Sequence, residues 1–163
     1  YLSVILFYFI FGFAAQSLVP IDIWNFEEKK FMRFRICIRN FEKRLECAWF
    51  NADEVRRMAN DWEFSEAARY RQAHRMASIA NHEKYHDRTV ICDFVCPTEV
   101  TRAIYDADYT VWMDTIDEGR FEDTNKIFEK PTSVDHIVHT FRPDVHVTTA
   151  AIIRATFKLD TED

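Results

Sequence analysis

The sequence predicts an α/β fold with a mainly parallel sheet. Three observations carry that expectation. From Cys47 onward, short apolar runs alternate with helical patterns, and strands separated by helices pair in parallel. The chain has 163 residues, 48% hydrophobic and 29% charged, which suits a single globular domain able to bury a core. No repeat, low-complexity tract or Pro/Gly/Ser-rich linker divides it.

The elements follow in order. Residues 1–19 carry no charge and are dense in Phe, Leu, Ile and Val. That reaches the lower limit for a membrane-spanning helix, and membrane contact through residues 1–19 is one reading. An upstream extension and a core helix are the others, since the chain opens on Tyr and lacks a positive n-region. Phe34, Ile36 and Ile38 alternate with Arg35, Cys37 and Arg39 as a first strand would. Residues 1–31 then stand apart as an apolar segment, and residues 32–163 form the domain. Ala48, Trp49 and Phe50 suit a short buried strand. Residues 53–62 read as a short helix with acids at its start. Ser65 caps a long helix to about Glu83, with Ala67, Tyr70, Ala73, Ala77 and Ala80 as its inner stripe. Residues 89–96 are the clearest strand, ended by Pro97. A helix over residues 98–105 and a strand over 109–113 follow. Residues 117–131 are polar, and residues 145–157 fit a strand or a helix.

The balance of the composition excludes some functions. A net charge of −6 disfavours nucleic acid as a partner. Two glycines in the whole chain leave little material for phosphate loops. Four cysteines with no C-x-x-C pair point to a reducing, cytoplasmic setting. Their spacing from His82, His86, His136 and His139 fits no standard zinc pattern.

Several runs carry a more specific signal. Phe50-Asn51-Ala52-Asp53-Glu54-Val55-Arg56 resembles the Asp-Gly-Asp-x-x-Arg motif of adenylylsulfate kinases. Phe64-Ser65-Glu66-Ala67-Ala68-Arg69 resembles their Phe-Ser-x-x-x-Arg, with Gln72 and Arg75 at further family positions. Val90-Ile91-Cys92-Asp93-Phe94-Val95-Cys96-Pro97 is similar to their Val-Ile-x-x-Phe-x-x-Pro strand and turn. Asp114-Thr115 resembles the end of the next strand, and residues 121–131 resemble a nucleotide-side loop ending in Tyr-Glu-x-Pro. These pieces lie in the family's order across residues 47–138.

The resemblance implies a three-layer P-loop fold and transfer of the γ-phosphoryl of ATP to the 3′-hydroxyl of adenylylsulfate, with Mg²⁺ as cofactor. Phosphoryl transfer is mostly positioning and charge stabilisation. On that basis Asp53 is the expected catalytic carboxylate, and Lys126 neutralises charge on the phosphates. Asp53 and Asp93 are the expected magnesium ligands. Arg56, Phe64, Arg69, Gln72 and Phe94 are assigned to substrate, because guanidinium forks pair bidentately with phosphate-like oxygens. Asn125 and Phe128 are assigned to the nucleotide. The resemblance leaves a homodimer open. Each residue also has a plainer reading: Asp53 as a helix-start acid, the arginines as solvated faces, Phe64 and Phe128 as core.

One family feature is missing. No G-x-x-x-x-G-K-[ST] run exists anywhere in the chain. With residues 34–38 as first strand, residues 39–45 follow as the tail of a first helix, so the N-terminal βα unit reads as atypical or truncated. Asn51 and Ala52 also replace the first Asp and the Gly of the family motif. The expected result is weak ATP binding and impaired turnover. The alternative is a non-catalytic or membrane-tethered binding module.

Overall fold

In the computed structural model, which describes residues 3–8, 47–115, 122–139 and 145–157, five parallel strands form one sheet in the order β2-β3-β1-β4-β5. They are β1 (Ser3–Tyr8), β2 (Ala48–Asn51), β3 (Val90–Phe94), β4 (Tyr109–Met113) and β5 (His136–Val138). The helices are α1 (Ala52–Ala59), α2 (Glu66–Tyr85), α3 (Glu99–Tyr105), α4 (Glu122–Ile127) and α5 (Val145–Phe157). By backbone packing the chain forms two compact units. Tyr1–Gly12 and Cys47–Thr140 make the first and hold the whole sheet; Phe13–Glu46 and Phe141–Asp163, which include α5, make the second.

The central strand is the main departure from expectation. β1 lies in the apolar N-terminal run, between β3 and β4, with Ile5 level with Cys92 and Thr110. A strand central in a parallel sheet is covered on both faces, so its sequence is uniformly apolar rather than alternating. That same uniformity imitates a membrane helix or a core helix. No helix among the described residues is long and apolar enough to cross a membrane. The candidate first strand at residues 34–38 lies outside the described residues. With β1 at Ser3–Tyr8, residues 9–47 separate it from β2, ample length for a crossover between parallel strands.

The core builds on β3, whose five residues are all buried. Val90, Cys92 and Phe94 pack with Met76, Ala73, Ala77 and Ala80 of α2, Val55 of α1, Tyr105 of α3 and Trp112 of β4. Met76 is 0% exposed, a burial that contributes about 1.5–3 kcal/mol. Ser65 caps α2 as expected, its Oγ accepting from the Ala68 N–H. Of the expected inner stripe, Ala73, Ala77 and Ala80 are buried; Ala68, Gln72 and Met76 are buried with them, whereas Ala67 is exposed and Tyr70 half-buried. Phe94 stacks edge-on against Tyr105 at 5.2 Å and is 6% exposed, so its ring is a core group with no open face for a substrate. Burial pushes the Cys92 and Cys96 thiols up to about 12, which keeps them protonated and unreactive at neutral pH.

Candidate functional site: an arginine cluster around Phe64

The site begins where β2 ends. Asn51 has an extended backbone, and its Oδ1 accepts from the N–H groups of Asp53 and Glu54 at 3.1 and 3.3 Å, capping α1. Its Nδ2 donates to Asp93 Oδ2 at 2.8 Å, tying the carboxyl ends of β2 and β3 together. In parallel α/β sheets ligands sit beyond these ends. Asp53 lies in the first turn of α1, where the helix dipole also favours a carboxylate. Among the described residues no three His, Cys, Asp or Glu side chains gather as a metal site. Asp93 is 1% exposed and shares its carboxylate with the Asn51 amide.

α1 ends on Asn60, whose left-handed backbone (φ 49°, ψ 42°) is one that Asn tolerates better than most residues. The reversal folds residues 61–64 back along the helix onto Arg56. Arg56 Nη1 donates to the carbonyls of Asp61 and Glu63 at 3.1 and 2.9 Å, and the side chain is buried. Its guanidinium carbon lies 4.7 Å from the centroid of the Phe64 ring. Burial lowers the Arg56 pKa, and the charge of Asp61 offsets part of that.

Three further arginines come from α2. Arg69 Nε donates to the Phe64 carbonyl at 2.9 Å, and its guanidinium carbon lies 5.9 Å from the same ring. Its Nη2 reaches α4, meeting Asp123 Oδ2 at 2.8 Å and Thr124 Oγ1 at 3.2 Å. Arg71 binds Asp61 through two nitrogens, at 3.2 and 3.1 Å, and Glu63 at 2.9 Å. Arg75 Nη2 joins the network at Asp61 Oδ2, 2.8 Å away, and its Nη1 contacts Gln72 Oε1. Gln72 is buried and donates to the Ala52 carbonyl at 3.1 Å, which returns the network to the start of α1. Phe64 itself keeps 48% of its surface exposed. The result is an aromatic platform with cations against it, and arginine forks fixed on the turn that carries it.

Asp61 is the hub, and sequence reasoning missed it. Hydrogen bonds from Arg71 and Arg75 hold its carboxyl well below the usual carboxylate range. A depressed folded-state pKa adds stability above the unfolded value, and that stability is lost as pH falls through the folded value. We expect the urea midpoint of the wild type to fall as pH drops below about 4, and Asp61→Asn to flatten that limb. Identical acid limbs in both proteins would remove Asp61 from the hub. The available signal was Asn60-Asp61, a left-handed stop followed by an acid just ahead of the arginine-rich start of α2.

Of the expected site residues, Arg56, Phe64, Arg69 and Gln72 converge, joined by Arg75. Asn125 and Lys126 stand on α4, the helix that Arg69 reaches. Lys126 is exposed and pairs with Glu122 at 2.8 Å. Phe128 is half-buried just past α4, its N–H donating to the Asn125 carbonyl. The next residue fixes the segment: Glu129 N–H donates to the Pro97 carbonyl at 2.9 Å, and Arg102 donates to the Glu129 carbonyl at 2.9 Å. A second polar pair, His139 Nδ1 with Asp114 Oδ2 at 3.2 Å, sits where β5 and β4 end.

Solved structures of other proteins share this architecture. The crystal structure of APE1195 matches with a TM-score of 0.57 at 14% identity, covering 99% of this chain and 96% of that one. A cysteine-to-alanine mutant of CysC, the Mycobacterium tuberculosis APS kinase, matches with a TM-score of 0.53 at 12% identity, covering 96% and 99%. The chain shares the parallel α/β fold of these two structures. No protein-family model and no curated protein matches the chain. At these identities the likeness is one of architecture, and the chemistry has to be argued from the site.

The family resemblance read from the sequence implies a phosphate loop after the first strand. The residues after β1 run Phe9-Ile10-Phe11-Gly12-Phe13-Ala14-Ala15-Gln16-Ser17, with one glycine and no lysine. A cradle of backbone N–H groups relies on glycines at several positions, and an ammonium normally meets the phosphates. The residues present do not fit an ATP–magnesium site of the P-loop kind.

Proposed function

We propose that this chain is a three-layer, adenylylsulfate-kinase-like protein that retains the substrate-binding half and has an impaired nucleotide-triphosphate half. The observation that carries the reading is the exposed Phe64 ring flanked by the Arg56 and Arg69 guanidiniums. An adenine base stacks on such a ring, and the sulfate-phosphate anhydride of adenylylsulfate presents oxygens that an arginine fork accepts. Arg69 is the direct anion contact in this reading. Arg56 has Nη1 committed to two carbonyls and supplies its charge and the placement of the ring. Asp53 is the carboxylate nearest the role of proton acceptor for a ligand hydroxyl, and Lys126 the nearest cation on α4. Asp53 and Asp93 are the carboxylates on which Mg²⁺ would depend. Without a phosphate cradle, transfer from ATP loses both binding and charge stabilisation, each worth several kcal/mol.

Thermal unfolding with each ligand tests this. At a ligand concentration one hundred times Kd the gain is about 2.7 kcal/mol, an upward shift in Tm of roughly 5–10 °C. Adenylylsulfate is expected to raise Tm, and ATP with magnesium to leave it unchanged. No shift with adenylylsulfate at millimolar concentration overturns the reading. An equal shift with ATP restores the chain as an active kinase candidate, to be assayed by ADP release.

A further inference from the structure

The seat that Arg69 offers to an anion already holds one. Its Nη2 meets Asp123 Oδ2 at 2.8 Å, with Thr124 Oγ1 at 3.2 Å, while Nε stays on the Phe64 carbonyl. The two partners differ in exposure: the Arg69 side chain is 10% exposed and the Asp123 side chain 62%. The arginine is therefore fixed by its surroundings, and the carboxylate is the partner able to leave. We propose that Asp123 is an internal stand-in for the ligand's anionic group, and so the residue that sets which anions the site accepts. The inference rests on the binding role of Arg69 proposed above.

The physical logic is competition. A carboxylate and a sulfate or phosphate oxygen pair present the same geometry to a guanidinium fork. A ligand must displace Asp123, so its apparent affinity is reduced in proportion to the fraction of molecules in which the latch is open. Weak anions then fail to enter, and a ligand that also stacks on Phe64 gains enough to do so. Because Asp123 lies on α4 and Arg69 on α2, the exchange also releases α4 from α2 at this point. Burial lowers the Arg69 pKa and the Asp123 charge offsets part of it, as expected for a cation that needs a counter-anion of some kind.

The test compares wild type, Asp123→Asn, Glu122→Gln and Arg69→Ala by calorimetric titration with two probes, adenylylsulfate and inorganic sulfate. Asp123→Asn keeps the side-chain shape and removes the charge. It is expected to tighten binding of either probe by roughly three- to tenfold, in line with a partly exposed ion pair. Glu122→Gln removes the same charge from the neighbouring position, where the partner is Lys126, and is expected to change neither. Arg69→Ala is expected to abolish the gain when combined with Asp123→Asn. Equal affinities in wild type and Asp123→Asn, with adenylylsulfate bound by each, overturn the stand-in and leave the binding site intact. A gain with sulfate in Asp123→Asn but no adenylylsulfate binding in any variant keeps the stand-in and removes the nucleotide reading. A matching gain in Glu122→Gln reduces the effect to the general field and overturns the proposal.

Discussion

Arg56→Ala is expected to cost about 3–5 kcal/mol of folding stability, the largest effect of any single substitution in the site. The side chain is 5% exposed, and its Nη1 satisfies the carbonyls of Asp61 and Glu63 while the group lies over the Phe64 ring. Alanine leaves two acceptors without their donor and a cavity beneath the turn, and both penalties add. Arg56→Lys is expected to recover only part of the loss, because an ammonium lacks the planar fork that reaches two carbonyls and stacks on a ring. Urea unfolding of the three proteins measures this directly. A loss below about 1 kcal/mol for alanine would place Arg56 among ordinary surface arginines. Ligand binding should fall with stability in Arg56→Ala, since the turn that presents Phe64 depends on it.

The second large effect is expected from Asn51→Asp, which restores the acid that the resembling motif carries at this position. Asn51 Nδ2 donates to Asp93 Oδ2 at 2.8 Å, and Asp93 is 1% exposed. Aspartate would keep the cap on α1 but set two carboxylates face to face in a buried place. Two such groups cannot both ionise cheaply, so one pKa of the pair rises strongly. The expected loss is about 2–4 kcal/mol at neutral pH. The sign follows from the raised folded-state value: the penalty is absent below an unfolded pKa of about 3.9 and grows as pH rises toward the folded one. Millimolar magnesium should return part of the loss if the introduced carboxylate and that of Asp93 converge on one cation. Wild-type stability in Asn51→Asp at pH 7 would show that the amide–carboxylate bond contributes nothing.

The residue at this position also explains part of what makes the chain distinct. With an amide at residue 51, the ends of β2 and β3 are joined by a hydrogen bond to Asp93. The missing glycine-rich run after β1 points the same way. The polar network is concentrated on α1, the turn at residues 60–64, and α2, where Arg56, Arg69, Arg71 and Arg75 each find a defined partner.

Local signals made much of this legible. β4 could be bounded at Tyr109–Met113 because an apolar run stands between turn residues, and α2 because Ser65 caps it. The family resemblance carried by Asp53, Arg56, Phe64, Arg69 and Gln72 pointed to two adjacent helices and the turn between them. β5 gave no such signal, since His136–Val138 is three residues long and only Val138 is buried. Phe94 misled for a related reason: a motif position says which residue is present, not which way a strand's alternation turns it. Here it turns into the core against Tyr105.

By itself, then, the sequence determined the parallel α/β plan, the cap that begins α2, the arginine-rich face of that helix and the absence of a phosphate-loop motif. These depend on interactions within a turn or two of chain, which composition and spacing record. Only the tertiary structure decided that the apolar run at Ser3–Tyr8 is the central strand, that Asp61 is the hub for Arg71 and Arg75, and that Asp123 sits on Arg69. The neighbours of β1 and the Arg69–Asp123 pair are brought together across stretches of chain too long for local spacing to record, and a uniformly apolar segment reads alike as strand, core helix or membrane span. What distinguishes them is which neighbours cover it, and only the folded chain supplies neighbours.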